Sequence, residues 1–202
     1  MSMSKENKSM FSVIELTKAA MFIALMAIGA NLTAFITIGT VPLTFQTVIA
    51  IFAGILLGKK VGTFSMIGYA IVGLIGVPVF AGFQGGLHII GSPTFGFILS
   101  FILLAFAVGF IVERVEKPSF PVYLFASIIG LLINYGFGVP YLYVYTVNVL
   151  GVSEATLVAT ALGMGPFFVK DAVLTVFAAT LSPQLVRAIH SSSNLQTKQR
   201  SA

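Results

Sequence analysis

Apolar residues fill long stretches of this chain, and polar residues are confined to short places between them. Runs of about 20 apolar residues read as membrane-crossing helices. The first run starts amphipathic, with Ser12, Glu15 and Lys18, and continues through AAMFIALMAIGANLTAFI, which predicts helix one over 13–36. Gly39 and Pro42 predict a turn across 37–44. Helix two is expected over 45–57, short for a full crossing, and Lys59-Lys60 forms the turn to helix three at 61–77. A glycine-rich loop follows over 79–93. Helix four is expected over 94–112 and helix five over 120–147, with Pro140 kinking or breaking the latter. Residues 151–164 hold an apolar run too short to span, which predicts a short surface helix capped by Ser153. Helix six is expected over 166–188, with Pro166 in its first turn. The whole chain, 1–202, reads as one integral membrane domain with flexible cytoplasmic tails at about 1–10 and 191–202.

Composition agrees with the pattern. Of 202 residues 57% are hydrophobic and 8% charged, against about 25% charged in soluble domains. That excludes a soluble globular domain, and it excludes disorder, which needs low hydrophobicity and high charge. The class left is an all-α polytopic membrane protein with six transmembrane helices. The first apolar run is too long for a cleavable signal peptide, and no small-residue cleavage site clearly ends it. Cysteine is absent, so no disulfide, thiolate nucleophile or Cys-ligated metal is expected. His88 and His190 lie in different regions, and no metal site or cofactor is expected. An intramembrane enzyme would need a nucleophile–base pair or metal ligands at depth, so no catalytic residue is expected either. No ATP-binding motif is present, so any ATP hydrolysis must come from another chain.

The net charge is +5, but the basic residues form short separated clusters rather than one stripe. They read as topology signals, and no nucleic-acid partner is expected. The N-terminus, the 59–60 turn, the 113–117 cluster and the C-terminus hold every Lys and Arg except Lys170. Six crossings put these four places on one side, which the positive-inside rule makes cytoplasmic. The connections near 37–44, 79–93 and 148–165 carry no Lys or Arg.

Lys170 and Asp171 stand about one turn into helix six, near its outer end. A charge at membrane depth is costly and normally faces a bundle interior or a water-filled cavity. Asp171 accepts hydrogen bonds and cannot snorkel far; Lys170 attracts a carboxylate or snorkels to the headgroups. Adjacent helix positions project about 100° apart, so the two are not expected to be simply an ion pair with each other. Thr44 and Gln46 sit at the mouth of helix two, where Thr44 suits a cap and an amide at depth needs partners. The loop from Phe80 through Phe83, Gly85 and Gly86 to His88 combines aromatics with glycines that bring backbone N–H groups close to a ligand. On helix five, Tyr141, Tyr143 and Tyr145 suit an interfacial belt, and Asn134 and Tyr135 lie deeper as pocket candidates. Ala20 and Ala24 on helix one allow close helix approach, either inside the bundle or against another membrane protein.

Several segments together resemble the BioY-type biotin-binding component of energy-coupling factor (ECF) vitamin transporters: VPLTFQT (41–47), AGILLGKKVG (53–62), GVPVFAGFQGGL (76–87), SPTFGF (92–97), NYGFGVPYLY (134–143) and GPFFVKD (165–171). The resemblance runs along almost the whole chain. It implies six helices with both termini cytoplasmic, a cell-membrane location, and high-affinity capture of biotin from the outer side. It implies partners: a transmembrane coupling protein and two ATP-binding subunits, with toppling in the membrane to release substrate. It also implies that Ala20 and Ala24 form the docking face for the coupling protein. The chain departs from the family in places. Pro93-Thr94-Phe95-Gly96-Phe97 stands for the common PTGGY, His88 stands for a glycine, and Leu174 stands where a lysine often falls, with Lys170 as the basic residue beside Asp171.

Biotin offers a ureido ring with two N–H donors and a carbonyl, an apolar body and a carboxylate. Asp171 can accept from the N–H groups, and Gln46, Thr44 or Asn134 can donate to the carbonyl. Phe80, Phe83, Tyr135 and Tyr141 can supply walls. Lys170, or backbone N–H groups at Gly85 and Gly86, can receive the carboxylate. The alternatives are the same component for another vitamin and a stand-alone proton-coupled carrier using Asp171; no inverted repeat is visible for the latter.

Overall fold

The structure, a computed structural model, describes residues 11–200, with side chains through Ile189. Helix α1 spans Val13–Asn31 and starts with a capping box: the Glu15 N–H donates to Ser12 Oγ at 3.2 Å, and the Ser12 N–H donates to Glu15 Oε2 at 2.7 Å. The helix stops five residues short of the expected 36. Beyond it the backbone turns into a small antiparallel hairpin, Thr37–Ile38 on Val41–Pro42. The Thr33 hydroxyl donates to the Leu43 carbonyl at 2.8 Å and the Leu43 N–H to the Ile36 carbonyl at 2.8 Å. These cross-hairpin bonds satisfy polar groups that a sixth helical turn would otherwise have held.

Helix α2, Gln46–Leu74, is interrupted at Gly58, whose φ is 73° and ψ 176°. The arms on either side, 46–57 and 59–74, fold back on one another. A Cβ placed on Gly62 would lie 2.6 Å from the Ala53 carbonyl oxygen, and Gln46 Nε2 reaches the Tyr69 hydroxyl at 2.9 Å. In a straight helix those two side chains would be about 35 Å apart. The expected turn between helices two and three is therefore one residue wide. Gly58→Ala is predicted to cost about 1–3 kcal/mol, because this region of φ/ψ is open essentially to glycine alone. The new Cβ would also meet Glu113 Oε1 at 2.2 Å, the atom that accepts the Lys59 N–H at 2.9 Å. Thermal unfolding in detergent checks this; an unchanged midpoint would refute it.

The remaining helices are α3 (Phe95–Glu113), α4 (Phe120–Asn148), α5 (Leu157–Gly163) and α6 (Gly165–Arg200). Helix α4 runs through Pro140 without a break. Short α5 is capped by Thr156, whose Oγ1 accepts from the Ala159 N–H at 3.1 Å, and not by Ser153 as expected. Thr156 directly precedes the apolar turn, whereas Ser153 lies in an exposed loop three residues upstream. The expected loop at 79–93 is partly ordered, with a Phe80–Gln84 bridge and a 3-10 helix at Leu87–Gly91. Of the two expected tails, 1–10 lies outside the described residues, and α6 continues to Arg200 where the second was expected.

Five of these helices are long and apolar enough to cross a membrane, and α2 doubles back, which makes six passes. Their outward faces carry exposed apolar side chains such as Ile71, Phe106, Phe125 and Phe177, suited to lipid. Lys59, Lys60, Glu113 and Arg114 gather at one end: Lys59 Nζ lies 3.3 Å from Glu113 Oε2, Arg114 stacks 4.3 Å over Phe110, and Phe11 meets Phe64 beside Lys60. The hairpin, the 79–93 segment and α5 occupy the opposite end.

Candidate binding site

At that opposite end lies a small, partly enclosed cavity. The hairpin, the start of α2, the start of α3, the middle of α4 and the first turns of α6 enclose it. Asp171 is 4% exposed, on the inner face of α6. Its Oδ2 accepts from the Tyr135 hydroxyl at 2.9 Å and from Thr47 Oγ1 at 3.1 Å. Thr47 in turn accepts from Asn134 Nδ2 at 3.3 Å, and Asn134 Oδ1 accepts from Ser100 Oγ at 2.6 Å. Asp171 Oδ1 takes no hydrogen bond from any described residue. Its neighbour is the Lys170 ammonium at 2.8 Å, placed for charge attraction rather than for a hydrogen bond.

Lys170 and Asp171 are thus an ion pair, contrary to the expectation from their helical angles. The four-carbon lysine stem bends sideways around the helix, which a Cα–Cβ direction does not capture. Lys170 Nζ also donates to the Thr44 carbonyl, tying α6 to the segment that leads from the hairpin into α2. Phe97 and Phe168 grip the Tyr135 ring edge-on at 5.9 and 5.1 Å, which aims its hydroxyl at Asp171. Phe97, Ile98, Phe101, Met164 and Phe167 form the apolar wall. One side of the cavity therefore holds a carboxylate, an ammonium and an amide, and the other is apolar. Among the described residues no cluster of His, Asp or Glu could hold a metal. The arrangement suits binding of a small, partly polar molecule.

A family model described as the BioY family matches residues 3–191. The chain belongs to the BioY family. It is 37% identical over 180 residues to a probable biotin transporter BioY of Lysinibacillus sphaericus, covering 89% of this chain and 90% of that one. It is 36% identical over 171 residues to the biotin transporter BioY of Thermotoga maritima, covering 85% and 95%. Its fold matches the 2.1 Å crystal structure of the S-component for biotin from an ECF-type ABC transporter, with a TM-score of 0.67 and 25% identity over 92% of this chain and 95% of that one. BioY proteins are multi-pass membrane transporters, not enzymes.

Within this BioY chain, Thr44, Gln46, Asn134, Tyr135, Lys170 and Asp171 all line the cavity. Gln46 spends an amide N–H on Tyr69, whose hydroxyl donates to the Val79 carbonyl at 3.0 Å, so it braces the wall. Five residues expected at the site lie off the wall. Phe80 is buried edge-on against Tyr69 at 5.3 Å. Phe83 is 72% exposed, and its N–H donates to Asn31 Oδ1 at 2.6 Å. Gly85 packs against Val77, and the Gly86 N–H donates to the Gly73 carbonyl at 2.7 Å. Tyr141 donates to the Ile90 carbonyl and holds the 3-10 helix. The 79–91 segment thus closes on its own backbone, on α1 and on α2, which gives the Gly86 N–H a partner other than a ligand. Sequence reasoning missed Thr47, Phe97 and Phe167, although each lies inside a run quoted for the resemblance. Ser100, Phe101 and Met164 carry no local signal. Ala20 and Ala24 are exposed on the outer face of α1 and take no part in packing within the bundle.

Proposed function

We propose that this chain captures biotin with high affinity from the extracellular side of the cell membrane and delivers it with an ATP-driven ECF module. The observation that carries the reading is the buried Asp171 carboxylate on the wall of a half-apolar cavity, with one oxygen held by two donors and the other beside the Lys170 ammonium. That oxygen accepts a ureido N–H, the free N–H of Asn134 meets the ureido carbonyl, and Phe97 and Phe167 flank the apolar body. Lys170 is the ion-pair partner of that carboxylate. It cannot also hold the ligand's carboxylate, which a bicyclic ring and a four-carbon chain separate from the urea. The charged end of the bundle is cytoplasmic by the positive-inside rule, so both termini lie inside and the cavity lies near the outer surface. Ala20 and Ala24, four residues apart on an uncovered helix face, form the surface on which the transmembrane coupling protein docks, and two ATP-binding subunits drive the cycle. Calorimetry on purified protein tests the reading. Biotin is expected to bind stoichiometrically and to outcompete other vitamins; preferential binding of a different vitamin would overturn it.

A further inference from the structure

We infer that Thr47 is the positioning residue that turns the Asn134 amide so that an N–H, and not the oxygen, faces a ligand. The inference rests on the biotin reading and deepens it by assigning the selectivity for the urea oxygen.

The two ends of an asparagine amide have similar shape and opposite hydrogen-bonding character. Asn134 is 1% exposed, so each end must find its partner inside the bundle. Two hydroxyls meet it, Ser100 Oγ on α3 at 2.6 Å and Thr47 Oγ1 on α2 at 3.3 Å. They do not constrain it equally. The Phe97 carbonyl lies 2.8 Å from Ser100 Oγ. Ser100 can therefore donate to the amide oxygen, or give its proton to Phe97 and accept from the amide nitrogen. It serves either end.

Thr47 serves one. It owns a single hydroxyl proton, and its oxygen lies 3.1 Å from Asp171 Oδ2. Asp171 is ion-paired with Lys170, and a carboxylate only accepts. A hydrogen bond to a charged acceptor is roughly twice as strong as one between neutral groups. The Thr47 proton therefore stays with Asp171, and toward Asn134 the hydroxyl offers a lone pair. A reversed amide would set its oxygen against that lone pair with no proton between them. The amide nitrogen accordingly turns to Thr47 and the oxygen to Ser100. The second N–H is left to donate into the cavity that Asn134 lines. An acceptor on one side of the Thr47 hydroxyl thus imposes a donor on the other. The N–H and C=O edge of a cyclic urea complements that pair. A ligand with a donor in place of the urea oxygen meets a second donor.

The test compares biotin with its analogue bearing an imino group in place of the ureido oxygen, by calorimetry at one pH. Thr47→Val keeps the shape and removes the hydroxyl, so Ser100 alone meets the amide and accepts either end. The preference for biotin over the imino analogue is expected to fall about fivefold or more. Thr47→Ala also lacks the hydroxyl and is expected to match; whichever of the two keeps its melting temperature in detergent decides. Thr47→Ser keeps the hydroxyl and is expected to keep the ratio of the unsubstituted protein. In an Asn134→Ala background, adding Thr47→Val is expected to leave the ratio where Asn134→Ala alone puts it. An unchanged ratio without the hydroxyl, with biotin still bound by the unsubstituted protein, overturns the inference and leaves the biotin reading standing. A shift of equal size in the Asn134→Ala background overturns it as well, because Thr47 then acts on the ligand directly or through Asp171. Failure of the unsubstituted protein to bind biotin removes the reading on which the inference rests.

Discussion

Asp171→Asn is expected to weaken biotin binding by about two orders of magnitude, because losing a hydrogen bond to a charged group and leaving its donor unpaired costs about 3 kcal/mol. The substitution keeps the shape and exchanges a carboxylate oxygen for an N–H2 group. If the N–H2 takes the place of Oδ1, a donor faces the ureido N–H and the Lys170 ammonium 2.8 Å away. If it takes the place of Oδ2, it faces the Tyr135 and Thr47 hydroxyls, which both donate there now. Neither orientation satisfies all the neighbours. Titration calorimetry reads the loss directly. An affinity within about threefold of the unsubstituted protein would show that the carboxylate does not hold the urea.

Lys170→Met is expected to weaken binding by roughly 10- to 100-fold, somewhat less than the aspartate change. Methionine keeps most of the stem's volume and removes the charge. Asp171 is then a buried carboxylate whose partner cation has been removed, held by hydroxyl donors alone. The tie to the Thr44 carbonyl is lost at the same time, which loosens the segment between hairpin and α2. Two readouts separate this role from direct capture of the ligand's carboxylate. The loss in the Lys170→Met/Asp171→Asn double variant is expected to be much smaller than the sum of the two single losses, since both act on one pair. The ratio of affinities for biotin and its neutral primary amide is expected to stay unchanged in Lys170→Met. A collapse of that ratio would mean that Lys170 grips the carboxylate itself.

The membrane architecture was legible because its physical cause is one-dimensional. Lipid demands long apolar runs, and the cost of charge at depth confines Lys and Arg to the ends of those runs. The alternation of connections with and without Lys or Arg, with Lys59-Lys60 between two short apolar stretches, already required the chain to reverse there. Helix termini were less legible. Thr156 and Ser153 are both suitable caps by residue type, and the choice was made by where the first apolar turn begins. Helix one could have continued to 36 on composition alone; the pairing of Leu43 with Ile36 stopped it.

The sequence by itself determined the six passes, the gathering of positive charge at one end, and the placement of an acidic side chain near the other end of the last helix. Those follow from the transfer of each segment between water and lipid, which depends on local composition. Only the tertiary structure decided what that acid touches. Lys170 bends back onto it, Thr47 and Tyr135 converge on one of its oxygens from two other helices, and the 79–91 loop turns its aromatics and glycines away from the cavity. Each of those outcomes depends on distances between residues far apart in the chain. A buried hydroxyl or amide is satisfied by whichever partner the packing brings within about 3 Å, and no local pattern encodes that.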